Sequence, residues 1–216
     1  MHRTLTITTP ANDPQLLTIE EMRAAAGVAD ASQDATLTAM GLQIAADIAV
    51  ECNIAIGGGS VPTLRRETVT EVLRGVRRDQ FALRRRHDID VSSLVEDGVT
   101  LTEGVDFLVD SESGIVERLE CDRPVPWCAE KVTIVYVAGF DAVPSDLRHA
   151  ATEFFRASLL ASQRDPLVKG TETEIPGLHR RRTDYWVGSV PGQSNEGAVP
   201  DAIDGKLKRF RNGVVG

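Results

Sequence analysis

The hydrophobic pattern of this chain changes period twice. From about residue 66 to 137 apolar residues alternate at period two, with turn residues at short intervals; on both sides they recur at spacings of three and four. A chain with strands in the middle and helices around them reads as α+β, with an antiparallel β-rich block inserted between helices. At 216 residues it is long enough for one large domain or two small ones, and at 42% hydrophobic content it can bury a core.

The helical flank opens at LLTIEEMRAAAG, where Thr18 and Glu21 have capping-box spacing, Leu17 and Met22 sit at staple positions, and Gly27 supplies a stop. A second helix is expected through ATLTAMGLQIAADIAVECNI, with Leu37, Met40, Ile44, Ile48 and Cys52 on one stripe and Ser32 or Asp34 as cap. Gly57, Gly58 and Gly59 end it. In the middle block ETVTEVLRG, DQFALRR and DIDVSSLVEDG read as strands, with Asp97-Gly98 as a hairpin turn. VDFLVDSESGIVERL reads as a hairpin turned around Ser113-Gly114, and KVTIVYVAG as a β-branched strand, with Pro124 and Pro126 in a loop before it. Helix returns at PSDLRHAATEFFRASLLASQ, with Ser145 as cap, a face of Leu147, Ala151, Phe154 and Ser158, and Phe155 and Leu159 widening it. So wide a stripe predicts a bundle with the two N-terminal helices. The expected segments are therefore 1–60 and 141–165 for the bundle, 61–140 for the β block, and 166–216 for a Gly/Pro-rich arm. The arm holds a short strand at DYWVG and a terminal amphipathic turn, AIDGKLKRF.

Motifs for chemistry are scarce. The triple glycine follows a helix, precedes Pro62 and has no Lys beside it, so it is a joint and not a phosphate loop. The acids around Asp106, Asp110 and Glu112 lack the order of a calcium loop, since Gly114 falls where a ligand should sit. His2, His87, His149 and His179 form no metal or base motif, and Cys52, Cys121 and Cys128 have neither disulfide nor zinc spacing. The expectation is no catalytic residue, no metal and no cofactor. No run approaches the ~18 apolar residues of a membrane helix and the N-terminus has no apolar signal core, so a reduced, soluble protein of the cell interior is expected, without a membrane partner.

Charge is more informative. The net is −8 and aromatic content is 5%, which disfavours a surface wrapped around a phosphate backbone or stacked with bases. HRRRTDYW at 179–186 is a local basic patch, readable as a solvated or subunit-contacting arm or as a DNA contact with Trp186 stacking. Residues 62–87 hold eight Arg against three acids, and residues 88–122 eleven acids against Arg118 alone. Either these are two solvated faces of one sheet, or copies of the chain meet head to tail. In the second case Arg77, Arg78, Arg84, Arg85 and Arg86 of one copy would approach Asp106, Asp110 and Glu112 of the next. The C-terminal stripe of Ile203, Leu207 and Phe210 is too short to stand alone in water, so it must dock on its own helices or in a partner's groove.

VTIVYVAGFDAVPSDLRHAATEFF resembles the signature of the head–tail connector (adaptor) proteins of long-tailed bacteriophages and gene transfer agents. In that family a strand ending in Tyr-x-Ala-Gly-aromatic runs through Val-Pro-x-Asp-Leu into a long helix. Tyr136, Ala138, Gly139, Phe140, Val143, Pro144, Asp146 and Leu147 fill those places here. LLTIEEMRAAAGV looks like the family's opening, DGVTLTEGVDFLVDSESGIVERL like the β block of its longer members, and PDAIDGKLKRFRN like its terminal helix. The arm between 165 and 200 departs from the family in length. The resemblance implies a structural virion protein, assembled in the host cytoplasm as a dodecameric ring under the portal protein. The ring would extend the channel, receive the tail or a stopper (head-completion) protein, and let DNA pass without specific binding. It also points to the portal as partner of Ile203, Leu207, Arg209, Phe210 and Arg211. Two other classes stay open: a DNA-binding packaging factor like a small terminase subunit, needing a basic helix-turn-helix, and a carboxylate- and metal-dependent hydrolase, revealed by divalent-metal-dependent cleavage.

Overall fold

The computed structural model describes residues 2–54, 61–162, 170–175, 179–184 and 199–213. The architecture is mixed α+β with a β-rich body, and its apolar residues fall into two cores.

The strands are β1 (His2–Thr9), β2 (Glu67–Arg78), β3 (Gln80–Ala82), β4 (Asp90–Glu96), β5 (Val99–Leu101), β6 (Phe107–Val109), β7 (Ile115–Glu120), β8 (Arg123–Val125) and β9 (Trp127–Ala138). Five of them form an antiparallel sheet in the order β1-β2-β9-β4-β5, centred on the long β2–β9 ladder in which Val69 faces Tyr136 and Leu73 faces Val132. A smaller sheet, β3-β7-β6 with β8 beside β7, shares a core with it. Period two explains the arrangement, because along β2 residues Glu67, Val69, Glu71 and Leu73 turn inward while Thr68, Thr70 and Val72 stay half-buried on the other face; the alternation breaks at Gly75, whose φ is 62°, and resumes with Val76 buried. Phe81 and Trp127 pack with ring centroids 5.2 Å apart in that core. The Asp97-Gly98 turn has positive φ at both residues, 46° and 91°, as a two-residue hairpin requires.

The second core gathers α1 (Ile19–Ala26), α2 (Asp34–Glu51), α3 (Ser145–Ser162), α4 (Asp201–Leu207) and the 3-10 turn Lys208–Phe210. The α1 capping box is present, with the Glu21 carboxylate accepting from the Thr18 N–H at 2.8 Å and Gly27 closing the helix at φ 71°. On α2 the expected stripe is inward, Leu37, Ile44, Ile48 and Cys52 being buried and Met40 half-buried. Neither expected cap is used. Asp34 is instead the first helical residue and accepts from both arms of Arg23 on α1, which holds its carboxyl below the usual range.

Two further differences from expectation have plain causes. β1 has no counterpart among the expected elements, and it extends the sheet by pairing with β2 about sixty residues away. Pro124 lies in β8, a short strand at the sheet's margin, where a missing N–H costs nothing; Trp127 already begins β9. The glycines 57–59 and the expected strand beyond Asp184, with Trp186, lie outside the described residues. Before that point runs a hairpin of β10 (Gly170–Ile175) and β11 (His179–Asp184).

Candidate functional site

The signature residues meet where the two cores join. Tyr136 is fully buried on β9 and donates its hydroxyl proton to Glu71 Oε1 at 2.7 Å; the same hydroxyl oxygen accepts from the Arg85 N–H at 3.1 Å. Glu71 Oε1 also accepts from the Arg84 N–H at 2.7 Å. These bonds pin the segment after β3 across the sheet. Burial pushes the Glu71 carboxyl up, against these hydrogen bonds and the charge of Arg3, and pushes the Tyr136 phenol up as well. One turn of strand away, the Arg85 guanidinium is buried, pairs with Glu67 and donates to the Thr63 carbonyl at 2.9 Å. Both glutamates occupy inward positions of β2 beside Val69 and Leu73, so the alternation in ETVTEVL already places them in the core. Their need for partners is the signal.

After β9 the chain passes Gly139, whose φ is 103°. A Cβ there would lie 2.4 Å from the Arg65 carbonyl oxygen, so only glycine fits. The Gly139 and Phe140 N–H groups donate to the His87 and Leu64 carbonyls, both at 2.8 Å. Phe140 then stacks on the His87 ring at 5.2 Å, and Phe210 meets both rings edge-on, 5.8 Å from Phe140 and 6.0 Å from His87. His87 Nε2 lies 3.0 Å from the Phe210 carbonyl oxygen, which can only accept, so Nε2 carries a proton. Burial holds the imidazole below its ordinary pKa, with Arg86 and Arg209 adding to the shift and the Phe210 carbonyl opposing it. An open, polar cleft of about 660 Å³ lies beside this aromatic trio, bounded by Arg86, Asp110, Glu112 and Arg209 among others.

Leu147 is fully buried in the helical core, and Asp146, in the first turn of α3, takes Arg209 in a two-pronged pair at 2.7 and 2.8 Å. Pro144 offers its carbonyl to the Arg148 N–H at 2.9 Å. Ile203, Leu207 and Phe210 are buried in the chain's own helical core, so their apolar faces are already covered. Arg211 pairs with Glu51 at 2.5 Å and with Asp204, and Asn212 donates to the Arg84 carbonyl at 3.0 Å. Of the residues expected to lie here for a partner, Arg209 alone keeps most of its side chain exposed.

The charge blocks sort differently from their sequence count. Arg85 lies inside the protein and cannot face a neighbouring copy, because its cation is consumed by Glu67. Arg86 is half-buried and donates to the Arg211 carbonyl at 3.2 Å. Arg77 reaches Glu130 on the surface at 3.2 Å, while Arg78 and Arg84 are exposed. Asp106 accepts from the Thr102 N–H at 2.8 Å, and Asp110 from Ser113 and Glu112 within its own turn, whose hydrogen bonds lower its carboxyl; Glu112 is exposed. Among the described residues no three His, Cys, Asp or Glu side chains stand together as a metal site, and no helix is long and apolar enough to cross a membrane. Burial pushes the Cys52 thiol up to about 12, far from a nucleophile's range.

No protein-family model matches the sequence, and no curated protein does. Among solved structures, the chain is similar in fold to a chain in the neck of an empty GTA particle computed with C6 symmetry. The TM-score is 0.55 at 18% identity, over 99% of this chain and 97% of the other. The class defined is therefore that of a mixed α+β chain similar in fold to a particle-neck chain.

Proposed function

We propose that this chain is a structural protein of a virion neck, a head–tail connector whose copies form a ring between the portal and the tail or its stopper protein. The observation that carries this reading is the fold likeness to a neck chain over 99% of this chain and 97% of that one. The order of the signature residues, read from the sequence independently, supports it. A ring of twelve copies is compatible with the six-fold symmetry applied to that neck. With a net charge of −8 the chain suits a conduit, because DNA must slide through and not be held. The packaging-factor alternative gains no support from the consecutive pair α1 and α2: the second helix, which would have to enter the groove, carries Asp34, Asp47 and Glu51 and no Lys or Arg.

The test is the mass distribution of the purified chain, alone and with the portal protein of the same particle, by light scattering and electron microscopy. Rings of uniform copy number with an axial opening, seated on the portal, are expected. A chain that stays monomeric in both conditions, or that cuts DNA with Mg²⁺ or Mn²⁺ in a manner abolished by Asp or Glu substitutions, overturns the reading.

A further inference from the structure

The five-stranded sheet ends abruptly at β1. Its outer edge pairs with no strand among the described residues, yet the segment from Thr4 to Thr9 is free of charge and of proline. Soluble proteins usually blunt such an edge. On the inner face of β1, Leu5 and Ile7 are half-buried, beside the fully buried Val69 and Leu73 of β2. The third inward residue of β1 is Arg3. Its side chain is only 8% exposed, it stands 3.7 Å from Glu71, and its Nε and Nη2 have no hydrogen-bond partner. Glu71 Oε2, the carboxylate oxygen nearest it, is buried and equally without a partner, so Nε has a charge to face while Nη2 has no acceptor within reach, and a carboxylate arriving at the edge would supply one.

The hairpin poses the converse problem. β10 and β11 pair with each other in register from Gly170 opposite Asp184 to Ile175 opposite His179. Among the described residues they make no more than marginal contact with any other element. Two strands alone are marginal in water. β10 (GTETEI) carries Glu172 and Glu174 and no cation, whereas β11 (HRRRTD) carries Arg180, Arg181 and Arg182. Charge therefore selects β10 for the edge that holds Arg3, with His2 and Arg74 exposed beside it.

We propose that the β10–β11 hairpin of one copy of this chain adds to the free edge of β1 in a second copy, β10 running antiparallel to β1 with Glu174 opposite Arg3. This register sets Thr173 against Thr4 and Thr171 against Thr6, two threonine pairs on the outer face of the sheet. Six residues of β10 span about 20 Å, which fits within the eight residues of β1. Main-chain pairing supplies the grip and the Arg3–Glu174 pair the register. The inference rests on the reading that copies of this chain assemble.

Two experiments separate the two ideas. Replacing residues 170–184 by a Gly/Ser linker of equal length should turn the assembled form into monomer with an unchanged melting transition. In a background of Cys121→Ser and Cys128→Ser, Thr6→Cys combined with Thr171→Cys should give chains linked to one another on oxidation, while Thr6→Cys with Glu172→Cys, on opposite faces, should link far less. An assembly of unchanged size without the hairpin, or an assembled form that yields no inter-chain link from the first pair, overturns the hairpin contact and leaves the ring intact. A wild-type chain that never assembles overturns both.

Discussion

Replacing Phe210 by Ala tests whether the C-terminal turn belongs to this subunit's core or to a partner. The side chain is 2% exposed, with Phe140 and His87 against its ring and the Arg209 guanidinium 4.6 Å from its centroid. Losing a buried Phe costs about 3–5 kcal/mol, and edge-on aromatic pairs add about 0.5–1.5 kcal/mol to what burial alone supplies. The cleft alongside lets the site relax, so a loss of about 3–4 kcal/mol is expected. With a urea slope of about 3 kcal/mol/M for a chain of this size, the unfolding midpoint should fall by about 1 M or slightly more. Urea titration followed by circular dichroism measures it. Leu160→Ala, at a 57%-exposed position of α3, is the control and should stay within about 0.5 kcal/mol of wild type. If Phe210→Ala leaves the midpoint in place and instead abolishes binding to portal-bearing heads, the turn is a partner's ligand and the packing argument fails.

Gly139→Ala should cost about 2–4 kcal/mol, since the new Cβ meets backbone and not a movable side chain; a midpoint within 0.2 M (about the error of the titration) would refute the steric account. Arg85→Met should cost about 3–5 kcal/mol by leaving Glu67 buried without its cation, and adding Glu67→Leu should restore most of it; an additive double variant argues against a coupled pair. His87 adds a pH dependence: its folded pKa lies below the ordinary 6.5, so the unfolded chain binds the proton more readily. Stability should therefore be full above about 6.5, fall as pH drops through that value, and level off below the folded pKa, a slope that His87→Gln should remove.

How much could be read from the residues depended on how local the cause was. The α1 cap is a contact within four residues, and it is present as expected. β9 was legible because a β-branched run with Tyr136 states its own preference, and the Asp97-Gly98 turn because two adjacent positive φ values need those residue types. β1 was not, although TLTITT alternates, because threonine at the outward positions looks the same as solvated loop and the partner strand lies about sixty residues on. The buried pairs were hidden for another reason. A charge count weighs Arg84, Arg85 and Arg86 alike, whereas in the fold the middle one faces the core and its neighbours do not. The aromatic trio joins residues 87, 140 and 210, a meeting that no spacing announces.

The same geometry divides the C-terminal residues by what they could offer a partner. Ile203, Leu207 and Phe210 are spent in the core, and freeing them would expose apolar surface on α2 and α3 at once. Arg211 is held between Glu51 and Asp204 and is about one-third exposed, so moving it would leave two half-covered carboxylates facing each other. Arg209 differs. Its pair with Asp146 is surface-exposed on both sides, 64% and 42%, and such pairs contribute about 0–1 kcal/mol. A carboxylate on a docking partner could therefore take Arg209 from Asp146 at little cost while Phe210, one residue on, keeps the turn anchored. Contact through the charged face and packing through the apolar face are then compatible, and the terminal segment can serve a partner without leaving its own subunit.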